Sequence, residues 1–165
     1  MRTEGLGDVA KGASGVEIAC VAVRGRTYGL EVTHIREIVR AQEVTPLPKA
    51  PVLIEGVIDL RGKVVPVIDL GRVLDGVPAP DARTTRIAVV EVDGLVLGLR
   101  VEAAVDVLSV EASAVEEPPA LATQAGYDAV RAVIRREGAA PVLLLSLERL
   151  LEEVYRSARG AEASP

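Results

Sequence analysis

Few residues in this chain belong to the types that do covalent or metal chemistry, and each stands in a setting that argues against such a role. Cys20 is the single cysteine and lies in the apolar run Ile18-Ala19-Cys20-Val21. There a thiol behaves as a small buried hydrophobe, whereas a nucleophilic thiolate needs a base or cation beside it. A lone cysteine also excludes an intramolecular disulfide and fits a reducing compartment. His34 is the only histidine, so a zinc site would have to gather carboxylates at no recognisable spacing. Residues 56–63, GVIDLRGK, resemble a phosphate loop faintly, but they carry one residue too many between the glycines. Val64 also stands where Ser or Thr should bind magnesium. The run Val64-Val65-Pro66-Val67-Ile68-Asp69 resembles a strand ending in a phosphoacceptor aspartate, yet no acidic pair precedes it. A helix cap is the simpler role for Asp69. No metal, no cofactor and no catalytic residue are expected.

The elements that would position such residues follow from composition. Of the 165 residues, 49% are hydrophobic and 26% charged, within the range of folded domains. With no Trp, no Phe and only Tyr28, Tyr127 and Tyr155, the core must be aliphatic, and β-branched residues favour strands. A net charge of −5 and scattered aromatics give nucleic acid neither an electrostatic nor a stacking reason to bind. No apolar run is long enough for a signal peptide or a membrane span, which predicts a cytoplasmic protein without membrane insertion. Residues 1–15 and 159–165 are expected to be flexible ends.

Turn signals divide the rest. Residues 18–23 and 28–32 flank Gly25 as one hairpin, and residues 57–60 and 64–68 flank Arg61-Gly62-Lys63 as another. The Pro-bearing residues 43–51 read as a stiff loop, because each proline lacks an N–H and restricts its predecessor. Asp69 is placed to cap a short helix reaching Leu74. The sequence also repeats. A shift of 69 sets Val21, Val23, Gly25, Gly29, Leu30 and Val32 on Val90, Val92, Gly94, Gly98, Leu99 and Val101, then Glu37 on Asp106 and Ile38 on Val107. A shift of 77 sets residues 69–74 on 146–151, so Ser146 answers Asp69. Residues 76–83, with Pro78 and Pro80, form the junction between the halves. In the last helix Leu147, Leu150, Leu151, Val154 and Ala158 recur at helical spacing, opposite Glu148, Glu152, Glu153 and Arg156. Its polar face lacks the basic excess of membrane-surface helices, so it should pack across the β subdomains.

Two charged stretches are less readily explained as structure: His34-Ile35-Arg36-Glu37-Ile38, and the tip Leu60-Arg61-Gly62-Lys63 between apolar strands. Such charges are either simply solvated or rim an apolar docking groove. Tyr28-Gly29-Leu30, then Glu37-Ile38, then Leu47-Pro48 with Pro51, then residues 56–62 with residues 65–70, resemble the motifs of the CheW family in order and spacing. The resemblance runs from about residue 17 to 153.

It implies an all-β fold of two SH3-like five-stranded barrels with short helices and a shared apolar seam. The first barrel would span about 16–75 and the second about 84–158, within a single domain of 16–158 in which terminal elements can be exchanged. It further implies a non-enzymatic adaptor in chemotaxis-like signal transduction, working at chemoreceptor arrays. The partners would be the cytoplasmic tips of chemoreceptors and the regulatory domain of a CheA-type histidine kinase. Receptor contacts would gather at Ile35, Glu37, Ile38, Gly56, Arg61 and Gly62, and the kinase would dock on the second barrel. Against the family pattern, Asp59 replaces the usual Asn, Glu102 the usual Asp, and the first strand lacks Phe. A phosphotransfer or phosphate-accepting component of the same pathway is the alternative. Within the resemblance, Glu37 and Arg61 are expected to pair across the groove, and Val67 and Leu99 to lie in the core.

Overall fold

A computed structural model describes residues 15–119 and 129–163. The expected flexible end at 1–15 therefore falls almost wholly outside the described residues, as do Tyr127 and the last two positions. Eleven strands run in chain order: β1 (Val16–Val23), β2 (Arg26–Glu31), β3 (Ile35–Arg40), β4 (Ile54–Leu60), β5 (Lys63–Asp69), β6 (Arg86–Val92), β7 (Leu95–Val101), β8 (Ala103–Val110), β9 (Val115–Glu116), β10 (Val130–Arg136) and β11 (Ala139–Leu145). Helix α1 (Leu70–Asp75) follows β5, and α2 (Leu147–Ala163) follows β11 and continues past the expected end at Ala158.

Each predicted hairpin forms, and its turn explains its sequence. Arg24-Gly25, Arg61-Gly62 and Asp93-Gly94 all have positive φ, the geometry that two-residue turns need to match strand twist. The strands assemble into two sheets, ordered β8-β1-β2-β11-β10-β9 and β3-β6-β7-β5-β4. Each curls into an SH3-like barrel. In the five-stranded barrel the chain beyond β3 comes round to β4, where Thr45 and Val57 exchange backbone hydrogen bonds of 2.8 and 2.9 Å. In the six-stranded barrel β9 pairs with β10 in the same way.

The barrels are not drawn from contiguous halves of the chain. Hairpin β1–β2 belongs to the six-stranded sheet with the C-terminal strands, and hairpin β6–β7 to the five-stranded sheet with β3, β4 and β5. Parallel pairings make the exchange: Ile68 opposite Leu99 in β5–β7, and Leu143 opposite Tyr28 in β2–β11. Residues 76–83 thus mark the sequence repeat but do not separate the sheets.

Three apolar clusters result among the described residues. Ile18, Cys20, Ile134, Val142 and Leu144 fill the six-stranded barrel, and Ile58, Val65, Val67, Ile87 and Val89 fill the five-stranded one. The largest cluster lies between the barrels, where Val21, Leu30, Val90, Leu99 and Val101 meet Leu147, Leu150 and Val154 of α2. The repeated glycines serve one purpose in both halves. A Cβ on Gly29 would come 2.6 Å from Cγ2 of Ile18, and one on Gly98 2.7 Å from Cγ2 of Ile87.

Val67 is fully buried in the five-stranded barrel, and Leu99 is 1% exposed in the seam. Replacing either with Asp would bury a carboxylate without a partner. Both variants should lose more than about 4 kcal/mol and their cooperative thermal transition. Folded variants with an unchanged melting temperature would refute the placement.

Candidate functional site

Strand β3 is the edge of the five-stranded sheet, and a register shift against β6 between Ile35 and Glu37 sets its chemistry. In regular alternation Ile35 and Glu37 would share a face. With Arg36 as the extra residue, Ile35 pairs with Val90 and Ile38 with Ala88, both partners in the seam cluster, while Glu37 pairs with Val89 of the barrel interior. Ile35 is half-buried against the seam, and Ile38 remains 38% exposed at its rim. Glu37 points the other way, over the open end of the barrel.

There it meets Arg61. The guanidinium grips the carboxylate with two hydrogen bonds, Nη1 to Oε1 at 3.2 Å and Nη2 to Oε2. The fork geometry is one that lysine cannot reproduce. The hydrogen bond from Arg61 holds the Glu37 carboxyl below its usual range. The pair is therefore intact at neutral pH and weakens only as the solution becomes acid enough to protonate that carboxylate. Arg61 itself sits at the β4–β5 tip with φ of 52°, fixed by Asp59, whose Oδ1 accepts from the Gly62 N–H at 2.8 Å. An Asn side-chain oxygen would accept the same bond, so the departure at Asp59 leaves the tip intact. At Glu102, Oε1 likewise accepts from the Arg24 N–H at 2.9 Å.

Glu37, Arg61 and Gly62 thus share one end of the five-stranded barrel, with Ile35 and Ile38 on the opposite face of the same edge strand. Gly56 stands apart. It lies near the start of β4, about 16 Å along the strand from Arg61 at ~3.3 Å per residue, and is buried where Thr45 closes the barrel. A Cβ there would lie 2.3 Å from the Thr45 carbonyl oxygen, so closure itself requires glycine.

The other chemistry-bearing residues occupy structural positions. Asp69 is 1% exposed and caps α1, accepting from the N–H groups of Arg72 (3.0 Å) and Ala79 (2.9 Å) and from Nη1 of Arg100 (2.8 Å). Ser146, its repeat counterpart, accepts from the Arg149 N–H at 3.3 Å. Cys20 is buried inside the six-stranded barrel, which pushes its thiol pKa up. His34 lies in the 3-10 turn between the sheets, its Nδ1 3.3 Å from the Glu91 carbonyl and its Nε2 3.8 Å from carboxylates of Glu31 and Glu148.

The sequence reading passed over strand β8, the edge of the six-stranded sheet. It carries Val105 and Val107, 59% and 62% exposed. The signal was present, since the repeat sets Val107 on Ile38. Strand β1 also shifts register opposite β8, pairing Cys20 with Asp106 and Val21 with Ala104.

Known proteins resemble most of this chain. A family model described as CheW-like domain matches residues 17–155. The chemotaxis protein CheW of Rhizobium meliloti is 30% identical over 145 residues, covering 87% of this chain and 92% of its own length. Protein FrzA of Myxococcus xanthus is 29% identical, over 86% of this chain and 89% of FrzA. The crystal structure of the scaffolding protein TtCheW from Thermoanaerobacter tengcongensis superposes with a TM-score of 0.73 at 29% identity, covering 82% of this chain and 86% of that one.

The two site glycines should respond differently to alanine. At Gly56 the new Cβ meets backbone, and the substitution should cost about 1–3 kcal/mol or more. At Gly62 it meets open space, and only the positive φ of 87° opposes it, at about 1 kcal/mol. Thermal melts should rank Gly56→Ala below Gly62→Ala, and the reverse order would mean that Thr45 does not close the barrel.

Proposed function

This chain belongs to the CheW-like domain family, and from that premise we propose that it is a non-enzymatic chemotaxis adaptor coupling chemoreceptors to a CheA-type histidine kinase. The observation that carries the reading is the pair of exposed apolar edges at repeat-related positions, Ile38 on β3 and Val107 on β8. An adaptor needs two separate docking surfaces, and exposed aliphatic side chains beside charges are what an interface offers. The receptor tip docks on the β3 edge, using Ile35 and Ile38 at the seam and Glu37, Arg61 and Gly62 at the hairpin tip. Gly56 contributes through closure of the barrel that carries them. The regulatory domain of the kinase docks on β8, around Val105 and Val107, at the edge of the six-stranded barrel.

The phosphate-accepting alternative meets an obstacle at Asp69. A phosphoacceptor must offer a free carboxylate oxygen to a phosphoryl donor, but this carboxylate is sealed and already holds two backbone N–H groups and Arg100. Among the described residues no helix is long and apolar enough to cross a membrane. Residence at cytoplasmic receptor arrays follows from the partners.

Two results test the assignment. Val107→Glu should weaken kinase binding at least tenfold and leave receptor-fragment affinity within twofold, while Ile38→Asp does the opposite. Equal loss of both partners in folded variants would leave one shared site. In a double-mutant cycle, Glu37→Gln and Arg61→Gln should couple in receptor affinity. Because the pair is largely exposed, each variant should melt within about 3 °C of the wild type. Additive effects on affinity would mean that the two residues act independently.

A further inference from the structure

The open end of the five-stranded barrel holds a cavity of about 230 Å³ directly beneath the Glu37–Arg61 pair. Its floor is apolar: Leu60, Val65, Val89 and Val96, all belonging to the barrel's own hydrophobic cluster. Arg36, Glu37, Arg61 and Lys63 form the rim, three cations against one carboxylate. Glu37 answers Arg61, and Glu91 answers Arg36, with Nε to Oε1 at 3.1 Å. Lys63 makes no ion pair among the described residues, so the rim presents one uncompensated positive charge above an apolar floor.

A dry cavity of roughly 150 Å³ is large enough to take benzene, so this space accommodates one aliphatic or aromatic side chain. Resting on the receptor reading of this edge, we propose that the barrel mouth is a specificity pocket that takes a single apolar side chain of the receptor tip, with an adjacent receptor carboxylate placed against Lys63. Glu37 ties the pocket to the docking edge. It shares β3 with Ile38, so a segment lying across that strand reaches the seam rim on one face and the barrel mouth on the other. The Glu37–Arg61 fork keeps the tip from folding over the opening. The pocket then selects among receptors by the size of the inserted side chain and the sign of the charge beside it.

The test uses the full chain and a receptor cytoplasmic-tip fragment, with affinity read by calorimetry and folding by thermal melts. Val96→Phe fills the cavity from its own wall and should weaken binding at least tenfold while the melting temperature holds or rises. Lys63→Glu reverses the exposed charge and should weaken binding at least fivefold, with a shallower dependence on salt. If Val96→Phe is unstable, methyl resonances of Val65 and Val89 decide instead, and they should shift when the fragment is added to the wild-type chain. Both variants binding within twofold of wild type, or unmoved methyls, would overturn the pocket. Under that result Ile38→Asp separates the two claims. Lost binding in Ile38→Asp leaves the receptor edge standing without the pocket, and unchanged binding removes the receptor reading as well.

Discussion

Neither barrel can be completed by one half of this chain, because the parallel pairings β5–β7 and β2–β11 each join a strand of the first half to one of the second. Everything else in the molecule hangs on this constraint. Once hairpin β1–β2 is committed to the C-terminal strands and β6–β7 to the N-terminal ones, the outer faces of the two hairpins are brought against each other. The seam they form is the largest apolar cluster of the protein. Barrel closure and barrel docking are therefore one event. A side chain lost from the seam weakens both barrels, and α2, laid across it through Leu147, Leu150 and Val154, protects both at once. An adaptor gains from this arrangement, since the two exposed apolar edges, β3 and β8, belong to barrels joined by one shared core.

Much of this was legible in the sequence for physical reasons. Two-residue turns with glycine at positive φ announced the hairpins, and Asp69 and Ser146 behave as the caps their positions suggested. The Glu37–Arg61 pair formed as expected between the two charged stretches. The resemblance allowed for an exchange of terminal elements, but which hairpins make it was not legible. A hairpin packs with the same alternation of apolar and polar residues whether its neighbours come from its own repeat or the other, so local pattern carries no information about the choice. The register shift in β3 was equally hidden. Strict alternation groups Ile35 with Glu37, and only the extra residue Arg36 turns Ile35 toward Ile38. The ion pair expected across the groove therefore forms at the rim of a barrel mouth, on the face of β3 opposite Ile35 and Ile38. Gly56 shows the limit of resemblance: the motif marks the residue, but the reason for it is a carbonyl 2.3 Å from where its Cβ would stand.

The repeat supplies an internal control for which features are structural and which belong to a docking surface. Positions that hold the fold keep their character in both halves: Gly29 and Gly98 avoid Ile18 and Ile87, and Asp69 and Ser146 both cap helices. Positions on the exposed edges diverge. Glu37 corresponds to Asp106, but the turn that presents Arg61 in the β4–β5 hairpin presents Glu137 in β10–β11. Two carboxylates cannot form the fork, so among the described residues the Glu37–Arg61 arrangement has no counterpart at the β10–β11 turn. Arg36, the extra residue of one register shift, corresponds to Val105 of the other, so the β8 edge loses a cation and gains an aliphatic side chain. Charges on an edge strand discourage pairing with other chains, and their removal invites an apolar partner. The same fold, built twice, thus offers a charged edge with an apolar pocket on one side and, on the other, an apolar edge whose one charged residue is Asp106. Differences of this kind are what discrimination between two partners of unlike chemistry requires.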